Sequence, residues 1–266
     1  MATSRLSSSR STLVLLAGLA LPGPQAPAQF GPLLDIEGAP QAKTQEEFDQ
    51  YLEVLAANDA RKRVAEARDF LAAYPESALL GLASVYLMEA HKDLDDFGGV
   101  LSNGERVLEL LPENLRALLT LSAAIPNAVQ DATEERVLLD RAESYATRAL
   151  AVMERKEIPR SIRLEEWKGF RAGMASEAHE ALGHIAAKRG QIERAMGEFE
   201  LAVELNPVPD GRQLFRLGAA YAAVGKVSKA GATLRRAVAL GPELVRLRAE
   251  QELRRLEEPA PGAGRP

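Results

Sequence analysis

The sequence predicts an all-α fold: a solenoid of about five antiparallel helix pairs that ends in a C-terminal capping helix. The main observation is that the stretch ALGHIAAKRGQIERAMGEFELAVELNP, ending at Pro207, is repeated as RLGAAYAAVGKVSKAGATLRRAVALGP, ending at Pro242. A period of 35 residues built from two amphipathic halves indicates an array of stacked helical units. The composition agrees, because few residues are aromatic and alanine is frequent, which favours closely packed helices over a β-sandwich.

Residues 1–28 have the pattern of a secretory signal peptide, and we expect cleavage after Ala28. Arg5 and Arg10 lie in a Ser-rich start, an apolar run follows, and small residues precede the expected cleavage site. The apolar run is shorter than the roughly 20 residues that span a bilayer, so an anchor that stays attached is the less favoured alternative. The expected location is therefore periplasmic or secreted, without stable membrane insertion after cleavage.

The absence of cysteine and the acidic charge exclude several classes of function. With 0 cysteines, the chain has no site for a lipoprotein anchor, a disulfide or a catalytic thiol. Removing the signal peptide leaves 38 acidic and 31 basic side chains, a net charge of −7. Nucleic-acid binding depends on clustered Lys and Arg that neutralise phosphates, so no nucleic-acid partner is expected.

The first half of the mature chain predicts irregular helix pairs. Residues 29–43 lack a sustained period and read as a flexible leader, although Phe30, Leu33, Leu34 and Ile36 make it unusually apolar. These apolar side chains suggest that the leader folds back onto the helices or into their groove. Residues 44–153 show helical spacing in three degenerate pairs, the third of which is expected to break at Pro126. Residues 154–162 form the predicted connecting loop.

The second half, residues 163–258, predicts regular repeats. An extended helix from about Leu164 to Lys188 leads into repeats at 176–209 and 211–244. The charged stretch 243–257 predicts a capping helix whose apolar side is expected to carry Leu244, Leu247, Leu253 and Leu256, because the last unit must present a polar face to water. Residues 259–266 read as a disordered tail.

The two copies resemble the tetratricopeptide repeat (TPR) family in their Leu-Gly pair, their Ala-x3-Phe-x2-Ala or equivalent run, and their closing proline. The resemblance implies a right-handed superhelix with a groove lined by the first helix of each pair. Gly183 and Gly218 are expected to let those helices approach the second helices, with Phe199 and Leu234 filling the seam. From the family's geometry, the residues expected to face the groove and bind a partner are Glu177, Glu180, His184, Lys188, Arg212, Phe215, Ala219 and Ala222.

The same resemblance argues against a clamp for a C-terminal carboxylate. Family members with such a clamp use a Lys and Asn pair in one repeat and basic residues in the next. Arg212 and Arg216 supply the basic part here, but Glu180 and His184 occupy the other positions.

Motifs that suggest catalysis are better explained by the repeats. His179 and His184 are five residues apart, whereas a zinc-protease helix needs two histidines at i and i+4. Asp93, Asp95 and Gly98 begin like a calcium loop, but oxygen ligands are missing at later positions. The Glu pairs at 46–47, 134–135 and 165–166 fall in first turns of predicted helices. We therefore expect no catalytic residue, metal or cofactor.

The predicted function is a non-catalytic interaction scaffold of the cell envelope that binds an unidentified protein or peptide in the groove. Two alternatives remain at this point: an envelope hydrolase that uses carboxylate or histidine chemistry in the groove, and a self-assembling structural scaffold. Trp167 and Phe170, three residues apart on the extended helix, read as core residues rather than as a ligand platform.

Overall fold

The computed structural model describes residues 40–131, 135–158, 162–206 and 208–257, and these ranges contain eleven α-helices and no β-strand element. The expected signal peptide (1–28), residues 29–39 of the expected leader, residues 132–134 and 159–161, Pro207 and the expected tail, with Glu258, lie outside the described residues. The helices are α1 (Gln45–Ala56), α2 (Ala60–Ala73), α3 (Leu80–Asp93), α4 (Phe97–Leu110), α5 (Leu115–Ala128), α6 (Arg136–Arg155), α7 (Leu164–Lys188), α8 (Ile192–Leu205), α9 (Gly211–Ala223), α10 (Val227–Leu240) and α11 (Glu243–Glu257).

The helices stack as five pairs followed by α11, which confirms the predicted solenoid. Each helix packs mainly on its neighbours in the chain, and several first helices also contact the first helix of the next pair, as α5 does with α7. The buried core is correspondingly a series of clusters along the stack rather than one centre. This arrangement follows from a sequence in which no single pair can bury its own apolar face.

Glycine allows close packing inside the last two regular pairs. A Cβ built on Gly183 would lie 2.5 Å from Phe199, and one on Gly218 would lie 2.7 Å from Leu234. Phe199 and Leu234 are both buried. The expected seam between the first and second helices is confirmed, and the close approach gains dispersion contacts along it.

Three pairs turn from the first helix to the second through the same C-terminal motif. Gly190 and Gly225 have φ of 71° and 74°, and Asp95 has φ of 54° at the equivalent place between α3 and α4. The N–H of Gly190 donates to Ala187, and the next N–H donates to Ala186, five residues back. These two hydrogen bonds form a Schellman motif. The motif favours glycine at this turn position because the backbone there has a positive φ, the left-handed conformation.

Five helices begin at a residue whose side chain caps the N-terminus. These caps are Thr44 for α1, Asp59 for α2, Asp96 for α4, Asn114 for α5 and Asp210 for α9. Each accepts a hydrogen bond from a backbone N–H in the first turn, which has no partner inside the helix. These caps fix where the helices begin.

Proline does not break α5 where the sequence predicts a break. Pro126 lies inside the helix, which continues to Ala128. Because Pro126 is in the last turn, it removes only one N–H near an end where the helix stops two residues later. The helix α6 also continues past the predicted boundary, to Arg155.

The predicted apolar faces of three helices are partly wrong. In α7, Trp167 is 7% exposed as expected, but Phe170 is 58% exposed. In α11, Leu244 and Leu247 are exposed, while Ala249 is buried and Leu253 and Leu256 pack against the core. In α1, the helical spacing of Phe48, Tyr51, Leu52 and Leu55 predicts one apolar face, but Leu52 and Leu55 are exposed while Val54 is buried. The physical reason is the same in each case: a terminal or projecting helix is covered on one side only, so part of its apolar pattern faces water.

Candidate functional site

The candidate site is a groove lined mainly by α5, α7 and α9, with contributions from the end of α3, the start of α4, α8 and α11. It contains three cavities, which we name the central cavity (about 490 Å³), the C-terminal cavity (about 460 Å³) and the apolar slot (about 260 Å³). Asn127, in the last turn of α5, lines both the central and the C-terminal cavity. His184, Phe215 and Arg216 line both the C-terminal cavity and the apolar slot. The three cavities therefore form one continuous surface.

The C-terminal cavity is cationic. Its lining includes four basic side chains and no carboxylate, and its full lining is Pro126, Asn127, His184, Lys188, Arg212, Phe215, Arg216, Leu244, Val245 and Arg248. The Nζ of Lys188 donates to the carbonyl oxygen of Val129 at 2.7 Å, which holds that ammonium at the edge of the cavity. A cavity with this lining favours a negatively charged occupant.

The basic side chains of the C-terminal cavity differ in how far they are already neutralised. Arg216 is paired with the carboxylate of Glu180. The side chains of Arg212 and Arg248 are exposed and form no hydrogen bond or ion pair with any residue that the structure describes. Two guanidinium groups, on α9 and on α11, thus remain available for a ligand.

A buried polar network supports α9 against α7 and α8. The amide nitrogen of Gln213 donates to Ser176 Oγ at 3.1 Å and to Glu180 at 3.0 Å, and Ser176 Oγ donates to the carbonyl oxygen of Ala202 at 2.7 Å. Glu180 accepts from Arg216 as well. Because its carboxylate already accepts these two donors, Glu180 holds the groove wall together and neutralises Arg216.

His184 separates the C-terminal cavity from the apolar slot. Its ring meets Phe199 edge to face at a centroid distance of 6.2 Å. Burial lowers the pKa of the His184 imidazole, and the positive charge of Lys188, one turn further along α7, lowers it further. An imidazole with a lowered pKa is neutral at pH 7. His184 is therefore an apolar and hydrogen-bonding surface at neutral pH rather than a fifth cation.

The apolar slot lies between α7, α8 and α9. Aliphatic and aromatic carbon dominates its walls, which are His184, Ala187, Ile192, Ala195, Phe199, Phe215, Arg216, Ala219, Ala220 and Ala223. The small side chains on α9 leave the space open, because alanine places no more than a methyl group there. The slot fits a single apolar side chain.

The central cavity has mixed charge. Lys92, Asp95 and Glu177 lie at its rim, over apolar side chains such as Phe97 and Leu119. Although Glu177 is exposed as a residue, partial burial of its carboxyl raises its pKa, and the positive charges of Lys92 and Arg116 oppose that rise. With both signs of charge present, this cavity favours no simple charged ligand.

The eight residues that the sequence assigned to the groove fall into four groups. His184, Lys188, Arg212 and Phe215 come together at the C-terminal cavity, and Ala219 lines the apolar slot beside it. Glu177 lies at the central cavity. Glu180 and Ala222 line none of these cavities, because Glu180 is paired within the wall and Ala222 packs against the core.

Sequence reasoning missed the residues that α5 and α11 add to the site. These are Pro126 and Asn127 on α5, and Leu244, Val245 and Arg248 on α11. The i, i+4 spacing of Leu244 and Arg248 places them on one side of a helix, and this is the signal that could have revealed a second functional face on α11.

The motifs that suggested catalysis have other roles in the structure. His179 pairs with Glu198 on α8 at 2.8 Å, whereas His184 faces the cavities. Asp96 caps α4 and accepts from His91. Glu165 and Glu166 pair with Lys168 and Arg163 at the exposed start of α7. In the described ranges, no group of three His, Cys, Asp or Glu side chains is arranged to hold a metal ion.

Among the residues that the structure describes, no helix has both the length and the apolar character needed to cross a bilayer.

Comparisons with known proteins bear on the fold. No family model matches the chain, and no curated protein matches it. Among solved structures, a thermophilic TPR protein of Thermus thermophilus is 18% identical, and the alignment covers 79% of this chain and 98% of that protein with a TM-score of 0.52. PilW, a widely conserved type IV pilus biogenesis factor, is 15% identical over 81% of this chain and 100% of that protein, with a TM-score of 0.41.

A TPR protein from Parabacteroides merdae is 12% identical over 80% of this chain and 98% of that protein, with a TM-score of 0.30. The likeness to the Thermus thermophilus protein is close enough to establish the architecture, and the eleven described helices agree with it. The chain therefore has the fold of the tetratricopeptide-repeat proteins.

Proposed function

We propose that this protein is an exported, non-catalytic scaffold that binds a partner protein or peptide in the groove. The observation that carries the proposal is the continuous surface formed by the C-terminal cavity and the apolar slot, in which two guanidinium groups have no partner among the described residues. A concave site with an apolar part and a few convergent polar groups is the usual form of a binding site. The solenoid architecture supports this use, because extended binding surfaces are what stacked repeats create.

The hydrolase alternative is not favoured by any side-chain arrangement in the described ranges. The carboxylates at the groove are Asp95 and Glu177, which line the mixed central cavity, and Glu180, which is paired with Arg216. General acid–base catalysis needs a carboxyl or imidazole within reach of a bound substrate together with a second catalytic group. No carboxylate lines the C-terminal cavity beside His184.

The binding proposal is tested by crosslinking in the native envelope fraction followed by capture of the processed chain, residues 29–266. The groove variant Arg212→Gln/Phe215→Ser removes one cation and one apolar ring from the two cavities. The matched control, Arg236→Gln/Leu240→Ser, removes one exposed cation and one exposed apolar side chain from α10, on the second helix of the pair. We expect the groove variant to lose a crosslinked partner that the control retains. Equal capture by both variants would contradict binding in the groove.

The export proposal is tested separately. Expression of the full chain with a C-terminal tag, followed by fractionation and N-terminal sequencing, is expected to give a mature protein that begins at Gln29. A chain that keeps its first 28 residues and stays in the cytoplasm would contradict export while leaving the groove proposal standing. Light scattering of the mature protein then separates a monomer from the self-assembling alternative.

A further inference from the structure

We propose that the C-terminal cavity and the apolar slot act as one site for an internal segment of a partner protein, in which an apolar side chain is flanked by acidic side chains. This inference rests on the proposed function, since it assigns a chemistry to the partner that the groove binds. It commits to acidic side chains within a chain, as opposed to a terminal carboxylate or a phosphate backbone.

The two cavities are joined by a shared wall, which sets the spacing of the ligand. His184, Phe215 and Arg216 each face both the cationic cavity and the apolar slot. A segment lying across this wall places one side chain in the slot and its neighbours over the cations. Adjacent residues of an extended peptide project to opposite sides, so an apolar residue and an acidic residue next to it can satisfy the two cavities together.

The positive charge of the C-terminal cavity is not balanced by any acidic side chain in its lining. No acidic side chain lines the C-terminal cavity, and the guanidinium groups of Arg212 and Arg248 have no partner in the described part of the chain. Guanidinium groups bind carboxylates through paired N–H donors, and such charge-assisted hydrogen bonds are stronger than neutral ones. The rest of the chain is acidic, so this local excess of positive charge is not a property of the whole surface.

The placement of the cations favours acidic side chains at more than one position. Arg212 is in the first turn of α9, whereas Arg248 is on α11, and Lys188 is held at the end of α7 by the Val129 carbonyl. These groups come from three helices. Several acidic side chains can therefore pair with them better than a single terminal carboxylate can. Arg216, the remaining cation, is already occupied by Glu180.

The apolar surface beside the cations argues for a peptide and against nucleic acid. Leu244 is 60% exposed, and it lines the C-terminal cavity together with Phe215 and Val245. Apolar side chains of a partner segment would cover this surface, and burying it adds affinity. A phosphate backbone has no group of this kind and needs a longer track of cations.

The test is fluorescence anisotropy with a labelled probe peptide, Gly-Ser-Asp-Leu-Leu-Asp-Glu-Gly-Ser, acetylated and amidated so that it has no terminal charge. Two matched peptides replace either the leucines by serine or the acidic residues by their amides. We expect the processed chain to bind the probe at least tenfold more tightly than either matched peptide. Binding of the probe is also expected to weaken as salt is raised, because exposed charges are screened.

Variants of the protein assign the binding to this site. Arg212→Gln and Arg248→Gln are each expected to weaken probe binding about fivefold to tenfold, whereas Arg236→Gln on α10 leaves it unchanged. Glu180→Gln keeps a hydrogen-bond acceptor for Gln213 but releases the charge of Arg216, so it is expected to tighten binding several-fold. Misfolding would not increase the affinity for the probe, so this result would be the most specific evidence for the site.

Five outcomes would overturn the assignment, and four of them concern the probe peptide. These are no binding of the probe, equal binding of the uncharged peptide, preference for a peptide whose only carboxylate is its free C-terminus, and displacement of the probe by single-stranded DNA. A dimer of the chain that the probe dissociates would assign the site to a second copy, which also overturns it. If crosslinking still captures a partner through Phe215 while the probe fails, the chemistry proposed here is wrong and the scaffold function stands.

Discussion

A methyl group added to Gly183 would lie 2.5 Å from Cε1 of Phe199, a distance that real Cβ atoms do not reach. The ring of Phe199 therefore occupies the place where a side chain on α7 would be. Gly218 and Leu234 stand in the same relation one repeat later, at 2.7 Å. The 35-residue repeat of the sequence therefore repeats a pair of residues. One is a glycine on the first helix, and the other is a large side chain on the second helix that fills the space beside that glycine.

Replacing Gly183 by alanine is expected to destabilise the protein by about 1–3 kcal/mol, the usual range for overpacking a well-packed core. Phe199 is 4% exposed and cannot move away without opening the seam. Urea unfolding followed by circular dichroism measures the change. Because α9 repeats the geometry, Gly218→Ala is expected to behave in the same way.

Gly173→Ala is the matched control, since Gly173 lies on the same helix and nothing is within 4 Å of its added methyl group. Alanine favours the helix over glycine by roughly 0.8–1.0 kcal/mol. The control is therefore expected to stabilise the protein by up to about that amount. Equal stabilisation by both substitutions would contradict the close approach of Phe199 to Gly183.

The pairing of a glycine with a large side chain also explains why the repeat can be recognised in the C-terminal half of the sequence but not in the N-terminal half. By alignment on their left-handed turn residues, Met88 and Gly104 take the places of Gly183 and Phe199. The large and the small residue have exchanged helices, and Gly104 instead receives Leu121 from the next helix, 2.7 Å from its added methyl group. Helical spacing alone still predicts these pairs, but the Leu-Gly signature does not mark them.

The candidate site was predictable only in part, for a related reason. His184, Lys188, Arg212 and Phe215 follow from their positions in the repeat, and the structure brings these four together. The contribution of α11 follows from tertiary packing, since this helix lies against α9 and α10 and turns Arg248 towards the groove. A sequence pattern shows that a helix is amphipathic, but it does not show which side a terminal helix leaves uncovered.

Asp95→Gly is expected to stabilise the protein by about 0.5–1 kcal/mol, because glycine adopts a positive φ without the steric cost of a Cβ. Asp95 has a positive φ in a turn where the two later repeats have Gly190 and Gly225. Thermal and urea unfolding measure the effect. The reciprocal substitution, Gly190→Ala, is expected to destabilise by a similar amount or more, and a stabilising result for it would contradict the strained turn.

Trp167 and Phe170 are expected to differ sharply when truncated, although their spacing on the helix predicts the same core role for both. Trp167→Ala should cost about 3–5 kcal/mol, as for other buried aromatic side chains. Phe170→Ser should change the free energy of unfolding by no more than about 0.5 kcal/mol, because the ring is 58% exposed. Equal losses in urea unfolding would show that the start of α7 packs against something that covers Phe170.

The lowered pKa of His184 predicts that the protein loses stability as the pH falls. The unfolded chain takes up a proton on this histidine near its ordinary pKa of about 6.5, while the folded protein resists doing so until a lower pH. Between those two pKa values the unfolded state binds more protons, so the free energy of unfolding decreases with decreasing pH. Lys188, which lines the same cavity, acts in the same direction as burial, because its positive charge disfavours the protonated form of His184.

The measurement compares urea unfolding of the wild type and of His184→Gln at about pH 7.5 and about pH 5.0, on either side of the ordinary histidine pKa. We expect the wild type to lose more stability than the variant over this interval. The raised pKa of Glu177 acts in the opposite direction, since its contribution to stability is lost as the pH rises, but Glu177 is present in both proteins and its effect cancels in the difference.

An NMR titration of the His184 ring gives the pKa directly. A value above about 6.5 would mean that a carboxylate, such as that of Glu180, and not burial, controls the ring, and His184 would then add to the positive charge of the site.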